Sequence, residues 1–567
     1  MTRASKVLHF PMVTIRRFRR VCSRFADRVA ICMARFSPVS TAFVSKPEMR
    51  SYGKAALGLQ MLGGHYLVRG GILQKSDTVP WDLMNLDLDQ YTQLHGFAWL
   101  DDVVAVDTLE ARAKVQAWVF DWLARYEYGR GDGWAADVVG RRLLRWINHA
   151  VLILHKVEPV QSEIFFRSLS HQASFLRKRW KSARPGLPRF EALVGLVYAG
   201  LTLEGQEHVL QPMLKMLGRE CAREIGSDGG IPSRNPEELM EIFVLLSWIN
   251  QTVSNRKQKV NSDILHALKR IVPAVRALRL GDGRMVQFNG GAAGQANRVD
   301  QALADVGIRS SMQSVESMGY SRLSALGTVL VIDSGKMPAK EYLWNVHAGA
   351  LSFEMSSGRT PVLVNVGPAY GHGPKIKNMS RATAAHNASV LDGTSSALFS
   401  GNGQNLERMT APNQVTFQKA ENEFGQAILA RHDGYSRSHG LIHERQLALV
   451  HAGNEVQGEE RFFAQTTAQR VRFGGRVDEQ RQIPFATHFH LHPDVDVELR
   501  LDGSIASILL KNGEIWLLRS EGNKIELKDT MSIEKGLIKP LATQEIVVKG
   551  VVINYEGSIS WTLTRRT

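Results

Sequence analysis

Most of the candidate acid–base and anion-binding residues lie in the second half of the 567-residue chain. Histidine and tyrosine act as general acids or bases when their pKa is suitably tuned, while arginine binds carboxylate or sulfate. The candidates are Asn345, His347, Asn365, Arg381, His386, Asn387, His432 and Tyr435, with Glu191, Arg234 and Asn235 further upstream. Together these residue types could perform acid–base chemistry on an acidic substrate.

Three further histidines alternate along one predicted strand. His488, His490 and His492 are separated by single residues, so their side chains share one face of that strand. Such a face could build a metal site or a sugar site. Alternating polar side chains also form an ordinary polar sheet surface, and both interpretations stay open.

The elements that would position these residues change character along the chain. Up to about residue 310, apolar residues recur with the 3.6-residue period of helices, and short Gly, Pro and Asp clusters separate the segments. The predicted helices cover 108–126, 138–157, 163–180, 189–205, 209–225 and 237–253. Short connections predict antiparallel helices packed in series.

After about residue 315 the pattern becomes short, alternating, β-branched runs, which predict the strands of an antiparallel sandwich. These runs cover 328–332, 361–366, 414–417, 441–449, 455–458, 505–510, 514–520 and 544–555. We therefore predict a multidomain α and β protein with three parts: an N-terminal segment at 1–46, a helical domain at 47–315 and a β domain at 316–567.

The segment between 345 and 393 carries a specific resemblance. It reads NVHAGALSFEMSSGRTPVLVNVGPAYGHG and then RATAAHNASVLDG. It resembles the C-terminal core of the heparinase II/III family, in which HxHxDxLSFEL is followed by a VDxG strand end and RxTxAHNxxxxDG. Weaker similarities continue through Asp228-Gly229-Gly230 with Arg234 and Pro236, and through later segments beginning at Arg431, His443 and His490.

The resemblance implies an incomplete α/α toroid followed by an antiparallel β-sandwich. It also implies a polysaccharide lyase that cleaves an acidic, uronate-containing and possibly sulfated glycan by β-elimination. In this interpretation the catalytic candidates are His386, Tyr435, Arg234, Arg381 and Asn387. The substrate-binding candidates are Asn235, Glu191, Asn345, Glu354 and His432.

Three departures from the family pattern favour an alternative function. Asn345 stands where the family has its first histidine, and residues 187–191 retain Glu191 without the preceding Asn-His pair. Residues 231–238 supply no tyrosine after the Gly-Gly turn. The alternative is therefore a non-catalytic glycan-binding protein associated with envelope polysaccharide.

The family's structural zinc ligands match His347, Asn365 and His386, with a neutral amide where the family has aspartate. Zinc prefers imidazole or charged oxygen donors, so we expect weak binding. A hydrogen-bonded polar cluster is the alternative. We expect no cofactor to be required, although a structural zinc or calcium ion could occupy this position.

The formal net charge of +15 favours an anionic partner. Residues 1–50 contain eleven Lys and Arg against two acidic residues, and residues 14–36 form a basic amphipathic pattern. This segment could contact an anionic membrane surface or dock on the protein body. With no recognisable nucleic-acid motif, an acidic polysaccharide is the expected partner and specific nucleic-acid binding is not expected.

Location stays open at this point. The resemblance implies the bacterial cell envelope or periplasm, but arginines interrupt the early apolar stretches and no clear secretory signal is present. A cytoplasmic or inner-membrane-associated location is therefore also possible. The three cysteines, Cys22, Cys32 and Cys221, lack the spacing of a disulfide framework or zinc module.

Overall fold

A computed structural model describes residues 10–45, 53–68, 71–74, 79–83, 86, 88–308, 316–369, 372–401, 407–477, 482–537 and 539–566. The chain divides into two compact units, one formed by 1–221 with 248–264 and the other by 222–247 with 265–567. The boundaries predicted at 46 and 315 adjoin or fall within segments outside the described residues, so they stay predictions.

The described chain up to residue 306 is helical apart from one hairpin, β1 (His65–Val68) and β2 (Gly71–Gln74), as the apolar periodicity predicts. The helices are α1 (Phe10–Ala34), α2 (Ala55–Leu62), α3 (Leu88–His95), α4 (Leu100–Val104), α5 (Leu109–Tyr126), α6 (Ala136–Asn148), α7 (Ala150–Ile153), α8 (Pro159–Arg179), α9 (Leu187–Thr202), α10 (Glu207–Glu224), α11 (Pro236–Asn255), α12 (Ser262–Ala277) and α13 (Ala296–Val306). The helix predicted at 138–157 is interrupted at His149, between α6 and α7.

The first unit is held by close helix packing around an aromatic core. A Cβ added to Gly140 of α6 would lie 2.5 Å from the Cα of Ala192 in α9, so the two helices approach through a glycine. Next to this contact, Arg142 is fully buried, with its guanidinium carbon 4.1 Å from the Trp122 ring centroid. The tryptophans around it are therefore core residues.

The rest of the described chain is mainly antiparallel strands. They are β3 (Tyr320–Ala325), β4 (Thr328–Asp333), β5 (Phe353–Ser357), β6 (Thr360–Leu363), β7 (Ser389–Leu391), β8 (Leu398–Ser400), β9 (Glu407–Thr410), β10 (Val415–Glu421), β11 (Gly425–His432), β12 (Ile442–Val450), β13 (Glu455–Phe463), β14 (Gln482–His490), β15 (Val495–Arg500), β16 (Ile505–Leu510), β17 (Ile515–Ser520), β18 (Ile525–Ser532), β19 (Leu541–Ile553) and β20 (Glu556–Arg566). Three short helices interrupt them: α14 (Pro374–Ser380), α15 (Thr467–Gly474) and α16 (Leu501–Ser504).

Two sheets enclose the core of the second unit. The small sheet has the order β3-β4-β5-β6, and the large one contains the path β10-β11-β12-β13-β20-β17-β16-β15, with β14, β19, β18 and β7 joined to it. Side chains from both sheets, among them Phe353 and Trp561, form one apolar cluster, and these two rings stack at 5.9 Å. The predicted sequence of helices followed by an antiparallel sandwich is confirmed.

The α6–α9 contact gives a stability prediction. Gly140→Ala should destabilise the protein by about 1 to 3 kcal/mol, because the added methyl group meets backbone atoms of α9 that cannot move aside easily. The matched control is Gly474→Ala in α15, where an added Cβ meets nothing within 4 Å. Denaturant unfolding should show a loss for Gly140→Ala and no loss for Gly474→Ala; equal behaviour of the two variants would contradict the close approach.

Candidate functional site

The second unit contains a small cleft that two of the predicted site residues line. These two residues are Arg234 and His347. The other lining residues are Asn289, Asp333, Gly335, Met337, Ala348, Ala350, Ser396, Pro412 and Val415. Asp333 ends β4, and Ala348 and Ala350 precede β5, so the small sheet positions one wall.

Arg234 is committed to internal contacts. Its Nη2 donates to Oδ1 of Asp333 at 2.5 Å, and its remaining N–H groups donate to four backbone carbonyls, those of Met318, Gly319, Gly335 and Lys336. A guanidinium has five N–H donors, so none is left over for a ligand. Arg234 also has a left-handed backbone conformation, φ 53°, which is uncommon for a residue with a side chain.

His347 offers the cleft a neutral hydrogen-bond acceptor. His386 Nδ1 lies 2.8 Å from the carbonyl oxygen of Ala382 and must therefore carry a proton. Burial lowers the pKa of His386 to about 4, so its ring is neutral and its Nε2 accepts the proton of His347 Nδ1, at 3.2 Å. This pattern assigns an unprotonated Nε2 to His347.

The pKa of His347 lies well below its ordinary value, because of burial first and of His386 and Arg381 second. The imidazole is therefore neutral near pH 7, and it is a weak base. A general base works best when its pKa lies near the working pH, so this environment is poor for proton abstraction.

Behind the cleft, Asn387 and its neighbours are structural. The Asn387 side chain donates to the carbonyl of Phe353 at 2.8 Å and accepts the backbone N–H of His490 at 2.6 Å. Glu354 is fully buried and accepts the backbone N–H groups of Asn365 and Gln287. Burial raises the pKa of Glu354 to about 7.

The structure places Tyr435 and His432 in the sandwich interior, away from the lining of this cleft. The Tyr435 hydroxyl donates to the carbonyl of Ser389 at 3.1 Å, and burial raises its pKa. His432 accepts the N–H of Gly434 on Nδ1, so its Nε2–H donates to Nδ1 of His443 at 3.2 Å. Both side chains hold the sandwich together.

The remaining predicted residues also have internal partners. Asn235 caps α11 by accepting the N–H of Glu238 at 3.1 Å, and Asn345 donates to the carbonyl of Gly290 at 2.9 Å. Arg381 donates to the carbonyl of Trp344 at 2.8 Å. Glu191 belongs to the first unit, where it pairs with Arg141 and Arg145.

The three residues that match the family's zinc ligands all have hydrogen-bond partners within the protein. Asn365 Oδ1 accepts the N–H of Asn387 at 3.0 Å, and its Nδ2 donates to the carbonyl of Gln287 at 3.2 Å. His347 and His386 bond to each other. Two neutral imidazoles and an amide provide no anionic donor, so this set fits a zinc ion poorly.

Tyr320, Asn289 and Asp333 are site residues that the sequence did not reveal. The Tyr320 hydroxyl donates to the carbonyl of Arg234 and accepts Nδ2 of Asn289, both at 2.6 Å. The Arg234 guanidinium lies 4.7 Å from the Tyr320 ring centroid. Asp333 ends a fully buried strand. An acidic residue at the end of an apolar strand was the sequence signal that could have identified it as a site residue.

The comparison with solved structures agrees with the fold described above. Heparinase III has a TM-score of 0.69 at 12% identity, covering 95% of this chain and 89% of that one. A heparan sulfate lyase HepC mutant from Pedobacter heparinus has a TM-score of 0.57 at 13% identity, covering 96% and 88%. These likenesses show the fold, an α/α toroid with a β-sandwich.

The sequence comparisons match one part of the chain to a family. The family model described as heparinase II/III-like, C-terminal, matches residues 307–562. This part of the chain is therefore a heparinase II/III-like C-terminal domain, as its motifs predicted. FtsZ-localized protein C of Caulobacter vibrioides (strain NA1000 / CB15N) is 26% identical over 523 residues, covering 90% of this chain and 88% of that protein.

The buried neutral histidines make stability depend on pH. Burial, with His443 and Arg445 nearby, holds the pKa of His432 well below its ordinary 6.5. The unfolded chain binds a proton near that value while the folded chain does not, so stability is present above it and is lost as pH falls below it. His347 and His386 act in the same direction.

We expect His432→Gln, which keeps a donor and an acceptor, to reduce the loss of unfolding free energy between about pH 7.5 and about pH 5.5 by about 1 kcal/mol, the largest contribution that one such histidine makes over this range. Denaturant titrations across this range measure the slope of the unfolding free energy against pH. His451→Gln, at an exposed histidine, is the control. An unchanged slope in His432→Gln would show that His432 does not titrate as described.

Proposed function

We propose that this protein binds a glycan without cleaving it by β-elimination. The main support for this proposal is that all five N–H groups of Arg234 donate hydrogen bonds within the protein. Elimination from a uronate needs a group that neutralises the substrate carboxylate, and in this cleft the Arg234 charge is already balanced by Asp333.

This cleft also lacks residues that are suited to act as the acid and the base of an elimination. His347 is neutral with a depressed pKa, and Asn345 replaces the histidine that the family pattern has two residues earlier. Tyr435 is bonded to backbone carbonyls in the sandwich interior. Among the described lining residues, His347 and Asp333 are the candidate general bases, and the Asp333 carboxylate is paired with Arg234.

The chemistry of the lining favours a hydroxyl-bearing sugar over an acidic one. Arg234 and Asp333 are the charged lining residues, and their charges cancel. His347 Nε2 accepts a hydrogen bond, which a sugar hydroxyl donates and a carboxylate or sulfate does not. For this cleft we therefore propose a neutral glycan, while the expectation of an acidic polysaccharide for the chain stays a prediction.

We also propose a membrane role for α1, which presents two different faces. Ala30, Ile31 and Ala34 are buried where α1 packs on α8, and Asp27 pairs with Arg179 at 2.7 Å. The described part of the segment at 14–36 is therefore docked on the protein body through this face.

The second face of α1 is apolar and exposed. Phe25, Val29, Met33 and Phe36 follow helical spacing and are 67%, 43%, 53% and 90% exposed. Arg28 and Arg35 lie beside this stripe and are exposed. An apolar stripe edged by arginine suits the interface of an anionic membrane, where the arginines meet lipid headgroups.

None of the described helices is long and apolar enough to cross a membrane. A surface attachment through α1 is therefore the form of membrane contact that we propose. The Caulobacter relative is named for localisation with FtsZ, and the similarity extends over most of both chains. We propose that this chain shares that localisation.

For the cleft, we expect no unsaturated product when the purified protein is incubated with heparan sulfate, alginate or bacterial exopolysaccharides, as followed by ultraviolet absorbance. Glycan-array or calorimetric binding should instead reveal a neutral glycan ligand. His347→Ala should weaken its affinity about tenfold, as expected for one lost hydrogen bond of about 1.4 kcal/mol.

Tyr435→Phe is the matched control, because its hydroxyl contacts the protein interior and should not affect binding. Product formation that is lost in His347→Ala or Tyr435→Phe would establish a lyase and overturn the proposal. Failure to bind any glycan would overturn it as well.

For α1, the full-length protein should sediment with vesicles rich in phosphatidylglycerol and stay in solution with neutral phosphatidylcholine vesicles. Replacing two exposed residues, Phe25→Glu with Met33→Glu, should reduce sedimentation about tenfold or more, because each charge must enter the apolar interface. The same variant, as a fluorescent fusion, should lose its localisation with FtsZ.

The control is Phe424→Glu, an equally exposed phenylalanine (72%) in the second unit. Vesicle binding that survives the α1 changes, or that drops equally in the control, would refute attachment through this face. Binding that is indifferent to lipid charge would refute the role of the arginines.

A further inference from the structure

A second cluster of titratable side chains lies on the pair β14–β19, outside the residues that line the cleft. His488 and His490 are two residues apart on β14, and Glu545 of β19 is directly opposite His490. Their side chains therefore lie on one face. The two imidazole rings are stacked, with an angle of 12° between their planes.

The donor atoms of this cluster converge. Glu545 Oε2 lies 3.1 Å from His488 Nδ1 and 3.2 Å from His490 Nε2, and one ligand atom from each residue falls within 4.8 Å of the others. The carbonyl oxygen of Ala384 is 2.8 Å from His490 Nε2. All three residues are buried.

We propose that His488, His490 and Glu545 bind one divalent transition-metal cation, with Zn²⁺ as the best match. Bonds of about 2.0 to 2.2 Å in a tetrahedral site separate neighbouring donors by about 3.3 Å, close to the two separations between Glu545 and the histidines. Two imidazoles and a carboxylate favour zinc over magnesium or calcium, which prefer all-oxygen sites.

Binding requires a tautomer change, with no net loss of a proton from either ring. Without a cation, the ring N–H groups of His488 and His490 face Glu545. With the cation in place, each ring carries its proton on the other nitrogen, and Glu545 stays ionised. The complex therefore carries a net charge of +1, whereas the cation-free cluster carries −1.

One feature of the cluster predicts an exchangeable site. His490 Nδ1 is buried and has no hydrogen-bond partner among the described residues. A metal-bound histidine normally donates its other N–H to an acceptor, and loss of that contact lowers metal affinity by about 10- to 100-fold. We therefore expect a chelator to remove the cation.

The position of the cluster links it to the cleft. The backbone N–H of His490 donates to Asn387, and its side chain contacts Ala384, which lies within the short turn Thr383–Ala385 before His386. A cation on His490 Nε2 would replace the hydrogen bond from this nitrogen to the Ala384 carbonyl. Cation binding would thus be coupled to this turn and, through His386, to the ring of His347, without contact with a ligand in the cleft.

The test is a zinc titration of the chelator-treated full-length protein by calorimetry, with Mg²⁺ and Ca²⁺ in parallel. We expect one equivalent of Zn²⁺ to bind, no binding of the other two cations, and a rise in melting temperature with added zinc. Glu545→Gln and His488→Gln should each remove this binding. His347→Gln should retain it, which separates this site from the His347, Asn365 and His386 cluster.

Circular dichroism and the zinc-free melting temperature establish whether each variant folds. Should a variant be unfolded, the spectrum of Co²⁺ bound to the wild-type protein provides the second measurement, because histidine nitrogen ligands give intense visible bands in a tetrahedral site. No zinc binding by the wild-type protein would overturn the proposal. So would binding that His347→Gln removes and Glu545→Gln retains, or a cobalt spectrum without tetrahedral bands.

Discussion

The hydrogen bonds of Asn387 tie together the segments on which the rest of the second unit depends. This fully buried residue bonds through its backbone N–H to Asn365, through its side chain to Phe353 and His490, and through its carbonyl to Arg445. Each satisfied bond contributes about 1 kcal/mol, and each group left unpaired in the interior would cost about 1 to 3 kcal/mol. A residue of another shape could not make these contacts, so the histidine–asparagine motif is retained for folding as much as for chemistry.

Much of the fold could be predicted from the sequence because its signals are local. The 3.6-residue periodicity behind α5 or α8 and the alternation behind β12 or β16 report burial on one face of a single element. The α6–α7 break at His149 was missed because no glycine or proline marks it. Strands such as β11 and β20 were missed because their charged, exposed residues make the alternation of apolar and polar residues less clear.

The site was harder to predict because residue type does not reveal what a side chain contacts. Arg234 was a sound candidate for binding a carboxylate, yet the carbonyls that consume its donors lie at 318–319 and 335–336, far away in sequence. Gly319 and Gly335 leave room for the guanidinium, since a Cβ on Gly335 would lie 2.6 Å from its Nη2. The motif shows where the arginine lies in the sequence, whereas the fold determines which groups its side chain contacts.

This distinction explains how a family fold can persist when its chemistry changes. Glu354, Asn365, Asn387 and Arg234 are held by backbone groups, so replacing them would leave buried donors or acceptors unpaired and destabilise the sandwich. Asn345 also has an internal partner, because its side chain donates to the carbonyl of Gly290, and residue type alone does not show whether the role of this position is structural or chemical. The need to keep buried groups paired thus maintains a motif whether or not the protein is catalytic. Motif conservation in this family is therefore strong support for the fold and weak support for lyase activity.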